Sequence, residues 1–296
     1  MLKKSIILCI GLLLFTNCND EPIDIYNGVN QENEEEEETP PTLNTLIIKE
    51  INNGDLDFFF DTYGKIERVD DQNAFSPGNI RFEFEYAPDN LLTTQTYFFF
   101  SELARTVFAY NGNNPSDIDF QPFGNSFSAP INIDNNTVSY SETTYMKNVE
   151  FTFASNNLKK LIHFEITDVS TPTPIVDTSV DYSYDTNGNL IQVTAHVINE
   201  NPVNSTFTFT YDDKRNAVAE SMNTNTLPYL LFESHNSYHT YIIQRLIELS
   251  PNNILSNSKD QHDFSYEYNS DEYPISGTKT NATDNTFVNN LTFTYY

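Results

Sequence analysis

The 296-residue chain contains no Trp, only nine Gly and two Cys, and sets 15 Lys and Arg against 42 Asp and Glu. Each shortage excludes something. With two Cys, one of them (Cys9) inside a leader-like start, no disulfide framework can hold the fold, so its stability must come from a core. A formal net charge of −27 excludes the basic footprint that a nucleic-acid backbone requires, and no nucleic-acid partner is expected. The same charge disfavours adhesion of the folded body to an anionic bilayer. The one marked apolar run of the N-terminal region, Ile6–Phe15, is too short to be a permanent membrane span. No G-x-S-x-G, phosphate-binding or dinucleotide-type glycine loop is present, so no catalytic residue and no cofactor is assigned. The missing Trp removes the strongest sugar-stacking side chain.

What the chain does have is aromatic residues, 23 Phe and 18 Tyr, arranged with a period of two. VDYSYDTNGNLIQV (180–193) packs a strand, a polar turn and a return strand into one stretch. Val180, Tyr182 and Tyr184 share one face, and Asn187 and Gly188 tolerate positive φ in the turn. Related units are FFFDTYGKIERV (58–69), FEFEYAPDNLL (82–92), VEFTFASNNLKKLIHFEI (149–166), FTFTYDDKRNAV (207–218) and FSYEYNSDEYPI (264–275), and the chain closes on LTFTYY. The pre-turn aromatics sit at 60, 86, 153, 184, 211 and 268, with gaps of 26, 31 and 27 and two longer ones of 67 and 57. Such a period with two strands per unit predicts an all-β fold: an antiparallel meander of serial β-hairpins, one face buried and the other wet. The expected sheet is curved or twisted, with one short amphipathic helix packed on it. Turn acids Asp61, Asp185 and Asp212 are expected to bond turn backbone.

The pattern aromatic-x-aromatic-Asp-x-x-Gly-x-Leu resembles the YD repeat of Rhs-type shells and teneurins. The body is most similar to the uncharacterised YD-repeat-like lipoproteins of Bacteroidota, through FTYDDKRN (209–216), LPYLL (227–231), LSPNNI (249–254) and YEYNSDEYPISGT (266–278). The resemblance implies hairpin geometry and brings no activity with it.

The N-terminus carries an address. Lys3, Lys4 and the run Ile6–Phe15 form the basic and apolar regions of a secretory signal, residues 1–17. FTNC then resembles a bacterial lipobox ending at Cys18, the expected lipidation residue. Family patterns favour Leu three places before that Cys and a small residue just before it; this chain has Phe15 and Asn17. Residues 18–43, with the Glu34–Glu38 run and Pro40-Pro41, read as an acidic disordered tether. The expectation is a lipid-anchored outer-membrane protein exposed at the surface, with the periplasmic face as the alternative. Membrane contact is then through N-terminal lipid alone, and the domain 44–296 is expected as a monomer.

Two segments depart from the repeat. SYHTYIIQRLIEL (237–249) places Tyr238, Tyr241, Ile242, Leu246 and Leu249 on one helical stripe, with Ser237 as N-cap. Residues 93–147 read as an irregular insertion and the first place to seek a site. His235 and His239 are the candidate metal pair at a spacing of four, but the intervening residues lack the Glu of HExxH. Surface or capping roles are the simpler reading, and no metal is assigned. Acids at Asp55, Asp57, Asp61, Asp117 and Asp119 permit a carbohydrate-active or metal-dependent hydrolase as an alternative. The leading expectation is a non-catalytic β-repeat surface for a glycan, peptide or protein partner; a periplasmic carrier of an apolar ligand is the other alternative.

Overall fold

The computed structural model describes residues 46–52, 56–71, 80–89, 91–99, 102–121, 126–155, 158–197, 203–222, 226–235 and 239–296. The expected signal, Cys18 and the whole of the expected tether lie outside them. Strands β1 (Ile48–Asn52), β2 (Leu56–Phe60), β3 (Ile66–Asp71), β4 (Ile80–Tyr86), β5 (Leu92–Phe99), β6 (Glu102–Asn111) and β7 (Asn114–Gln121) come first. They are followed by β8 (Phe127–Pro130), β9 (Asn132–Asp134), β10 (Thr137–Glu142), β11 (Lys147–Phe153), β12 (Leu161–Asp168), β13 (Ile175–Tyr184), β14 (Leu190–Val197) and β15 (Val203–Arg215). Helices α1 (Ala217–Met222), α2 (Thr226–His235) and α3 (His239–Glu248) precede the last strands, β16 (Asn252–Asn257), β17 (His262–Tyr268), β18 (Pro274–Asn281) and β19 (Phe287–Tyr295).

Successive strands pair antiparallel, and β1 pairs on both sides, with Ile51 opposite Phe58 of β2 and Phe293 of β19. Strand β8 pairs with β7 and β9 with β10. Only Ile131 separates those two strands, and its amide donates to the Ser116 carbonyl at 2.8 Å. The meander is therefore a nearly closed barrel rather than the curved or twisted sheet that the repeats predict. The correction has a physical cause: closure rests on pairing residues 48–52 with 292–295, and no local pattern announces a contact across the whole chain.

The alternation read from the sequence survives as two kinds of row around the wall. Phe293, Ile51, Phe58, Val69, Phe82 and Tyr97 lie in register across six strands and face the interior. The adjacent row, Thr294, Glu50, Phe59, Arg68, Glu83 and Thr96, faces outward. Its one apolar member, Phe59, lies under the Arg68 guanidinium at 4.4 Å. Barrels that span bilayers carry the opposite pattern, apolar outside and polar within. This wall suits water on its outer face. No helix among the described residues is long and apolar enough to cross a membrane.

The turns at one end share a geometry. Asp185 Oδ1 accepts the Asn189 amide at 2.8 Å, and Gly188 takes φ +97°. Asp61 does the same for Lys65, with Gly64 at +78°. In the turn after β17, Asn269 replaces the Asp and Glu272 occupies the positive-φ place at +66°. Tyrosines at strand ends then stitch neighbouring strands together. Tyr86, Tyr184 and Tyr295 donate to the carbonyls of Ile66, Leu161 and Pro274 at 2.7–2.8 Å, each bond reaching the first residues of a strand 20 or so positions away.

Three expectations need correction. The unit 207–218 is not a hairpin: β15 continues to Arg215, and its return strand is β16, beyond the helices. Asp212 does accept the Lys214 amide at 3.0 Å, but it also accepts from the Asn253 amide at 3.0 Å and from the Tyr268 hydroxyl. The helical region holds three helices rather than one. Segment LPYLL of α2 is buried all round, so it shows no amphipathic stripe to read. Finally, the described residues of 93–147 are not irregular but run through β5 to β10 and into β11. Asn114, Ser128, Pro130 and Asn132 are exposed on these strands, while Pro115 is buried in β7.

Candidate functional site

The helical insert occupies the barrel lumen. Leu230, Leu231, Ile242 and Ile243 are completely buried, and Tyr229 of α2 meets Phe84 of β4 at 6.0 Å and shares a hydroxyl–hydroxyl bond with Tyr86. Desolvation, with the neighbouring Tyr229, pushes the Tyr86 phenol far above its ordinary range, so this pair stays neutral. Asn216 fastens the entrance of the insert to its exit. Its Oδ1 accepts the Val218 amide at 3.0 Å as an N-cap, while its Nδ2 reaches the carbonyls of Glu248 at 3.0 Å and Ser250 at 2.8 Å. Ser250 Oγ accepts the Leu190 amide at 3.1 Å and so ties the insert to β14. From the turn after β17, the Tyr273 hydroxyl donates to Glu220 Oε2 at 2.6 Å.

Beneath the insert the lumen is not filled. A cavity of about 250 Å³ lies between the polar edge of α3 and an aromatic wall that includes Phe58, Phe60, Phe264 and Phe293. A second, of about 210 Å³, shares Phe264, Tyr266, Leu291 and Phe293 with it and runs out past Asn257, His262 and Lys279. The two form an amphipathic space, apolar at one end and polar at the other. Gly277 lies between Tyr266 and Leu291, which line both cavities. A Cβ there would stand 2.6 Å from the Ser265 carbonyl and 2.9 Å from the Tyr266 ring, so only glycine lets Tyr266 lie against the strand.

The charges facing this space are mostly matched. Glu248 accepts from Arg245 Nη1 at 2.6 Å and from Gln244 Nε2 at 3.1 Å. Asp260 accepts from Asn257 Nδ2 at 2.8 Å and Lys259 Nζ at 2.9 Å. The side chain of Lys279, opposite Phe264 in the β17–β18 register, has no hydrogen bond or ion pair with another described residue. Burial first, then the Lys279 charge, pushes the His262 imidazole below its ordinary range, so it is neutral at pH 7.

The residues singled out from the sequence fall elsewhere. His235 ends α2 and His239 begins α3, so they belong to two helices rather than one turn; their side chains lie outside the described residues. Among the described residues no group of three or more His, Cys, Asp or Glu is placed to hold a metal. Asp117 and Asp119 face outward on β7 and bond Ser116 and Gln121 locally. Asp57 is bonded by Asn52, Asp61 sits in its turn, and Asp55 lies outside the described residues. These acids do not converge. His163 and His196 pair outward with Asp181 and Asn204, both at 2.7 Å. Tyr182 and Tyr184 belong to the inward stripe and Asp185 to the turn. The lumen residues Gln244, His262 and Lys279 were missed. A signal was available: Lys279 occupies an inward position in the alternation of β18.

No family model matches the chain, and no curated protein matches it. Among solved structures, a porin-like protein from Bacteroides uniformis is similar at 9% identity and a TM-score of 0.44, over 86% of this chain and 99% of that one. A porin-like protein from Bacteroides vulgatus is similar at 11% and 0.38, over 85% and 99%. The Tc holotoxin pore of Photorhabdus luminescens is similar at 11% and 0.29, over 79% of this chain and 11% of that one. Likeness at this level carries no argument about function.

Proposed function

We propose that the chain is a lipid-anchored, non-catalytic envelope protein whose barrel binds a small ligand in its lumen. The observation that carries the binding role is the unfilled space under α3, walled largely by half-buried aromatics, whereas the inward rings of β11 and β12 are fully covered. Anchoring follows from the sequence together with the wall: outward rows of Thr, Glu and Arg do not suit lipid, so attachment falls to Cys18. The outer membrane is the proposed location, with the surface leaflet ahead of the periplasmic one. A glycan, peptide or protein seated on the outer wall is the second reading, supported by the continuous polar rows.

Two measurements test this. Labelled palmitate should be incorporated by the chain and not by Cys18→Ala, which should also leave the membrane fraction; unchanged fractionation of that variant removes the lipid anchor. Replacing Leu291 by Trp, which fills the shared wall of both cavities, should abolish ligand binding while the far-ultraviolet circular dichroism remains that of a β-protein. Undiminished binding would move the site to the outer wall.

A further inference from the structure

We infer that the lumen selects a small anionic amphiphile, a carboxylate or similar head on a short apolar body, with Lys279 as the head-group residue; this rests on the lumen being the ligand site. Three observations carry it. The shape of the site separates chemistry along its length, from the apolar end at Phe58 and Phe60 to the polar end at Asn257, His262 and Lys279. The acids lining the space are already matched, Glu248 by Arg245 and Gln244, and Asp260 by Lys259 and Asn257. That leaves Lys279 as the cation facing the space without a bonded partner among the described residues. In a chain of net charge −27, an unmatched lysine on the inward face of a strand is the local exception to the overall field.

The alternatives fit less well. A cationic ligand would meet Lys279 at the polar end and find both acids engaged. A neutral apolar ligand would leave the ammonium facing apolar atoms, where an uncompensated charge is costly. An anionic head instead gains a charge-assisted hydrogen bond at the point where the cavity opens. The neutral His262 ring beside it offers a further N–H without adding a second charge. The cavity volumes suit a body of several carbons or one ring and exclude a diacyl lipid, whose two chains need far more room.

The test uses three probes of one body length on the full purified chain: octanoate, octan-1-ol and octylammonium, titrated by calorimetry at fixed low salt. Octanoate should bind ~10-fold or more tightly than either of the others, and its affinity should fall as salt is raised. Lys279→Met should erase the advantage of octanoate over octanol, and Lys279→Arg should keep it, which separates loss of charge from loss of fold. Equal binding of octanoate and octanol to the natural chain, or an undiminished octanoate preference in Lys279→Met, would overturn the head-group assignment and leave the lumen reading standing. Binding of all three probes that survives Leu291→Trp would overturn both.

Discussion

The two sides of the barrel are built from the same alternating strands and end differently. Along β11 to β14, Phe151, Phe153, Phe164, Val180 and Val193 have no exposed surface, with Phe151 and Phe164 rings 5.1 Å apart. Along β17 to β19 and β1 to β2, Phe264, Tyr266, Phe293 and Phe58 face inward in the same way but stay half-buried. The wall is equivalent; the surface opposite it is not. On the packed side apolar side chains meet apolar side chains, whereas on the open side the aromatic wall faces Gln244 and Glu248 on the edge of α3. A period of two therefore decides which way a side chain points, and the filling decides whether it is covered.

The sharpest way to break this comparison is to truncate one ring on each side. Phe151→Ala should cost about 3–5 kcal/mol, since it opens a cavity in a dry core. Phe264→Ala should cost clearly less, because its ring already borders unfilled space; urea denaturation of both variants measures the difference, and equal losses would contradict the contrast. Next in size is Gly277→Ala, which drives a Cβ into the Tyr266 ring and the Ser265 carbonyl. A loss of about 1–3 kcal/mol is expected, together with reduced octanoate affinity as Tyr266 is displaced. Any comparable Gly→Ala change at Gly112, where nothing lies within 4 Å, acts through its φ of +62° and should leave octanoate binding unchanged.

The packed side should also show a pH signature. Glu142 is directed inward on β10, where burial pushes its carboxyl up to about 7, partly opposed by Lys147. A carboxyl with a raised folded pKa is bound as the acid, so its contribution is complete below about 4.5 and declines as pH rises towards about 7. Thermal melts across that window should fall with rising pH, and Glu142→Gln should flatten the trend; an unchanged slope would place the dependence elsewhere. The smallest effect belongs to the outer wall. Ser265 and Thr278 exchange a hydroxyl bond at 2.7 Å in solvent, and Ser265→Ala should move stability by within about 0.5 kcal/mol.

Much of the wall was legible in the sequence. The inward stripe of Val180, Tyr182 and Tyr184 and the turn role of Asp185 follow from alternation and turn chemistry, and both stand in the structure. Three features were not legible, each for its own reason. Closure depends on Ile51 meeting Phe293, a pairing set by the count of strands rather than by either strand. The LPYLL segment of α2 is apolar on every side and buried throughout, so no period marks it as helical. The site carries no irregularity of the kind that marks 93–147 in the sequence: Lys279 stands inside a regular strand and is distinguished only by its inward position.

The insertion point of the helices has a consequence of its own. Strands β15 and β16 pair as a hairpin although residues 217–251 stand between them, where a sister unit has only the turn at 185–189. Asn216 closes the neck of that excursion by holding the carbonyls of Glu248 and Ser250. One turn of the ring thus acts as a socket, and what hangs from it is a cartridge: the ring keeps its register through its own ladder and tyrosine stitches, and the cartridge sets what the interior can hold. Exchanging the cartridge is a route to new contents without redesigning the container.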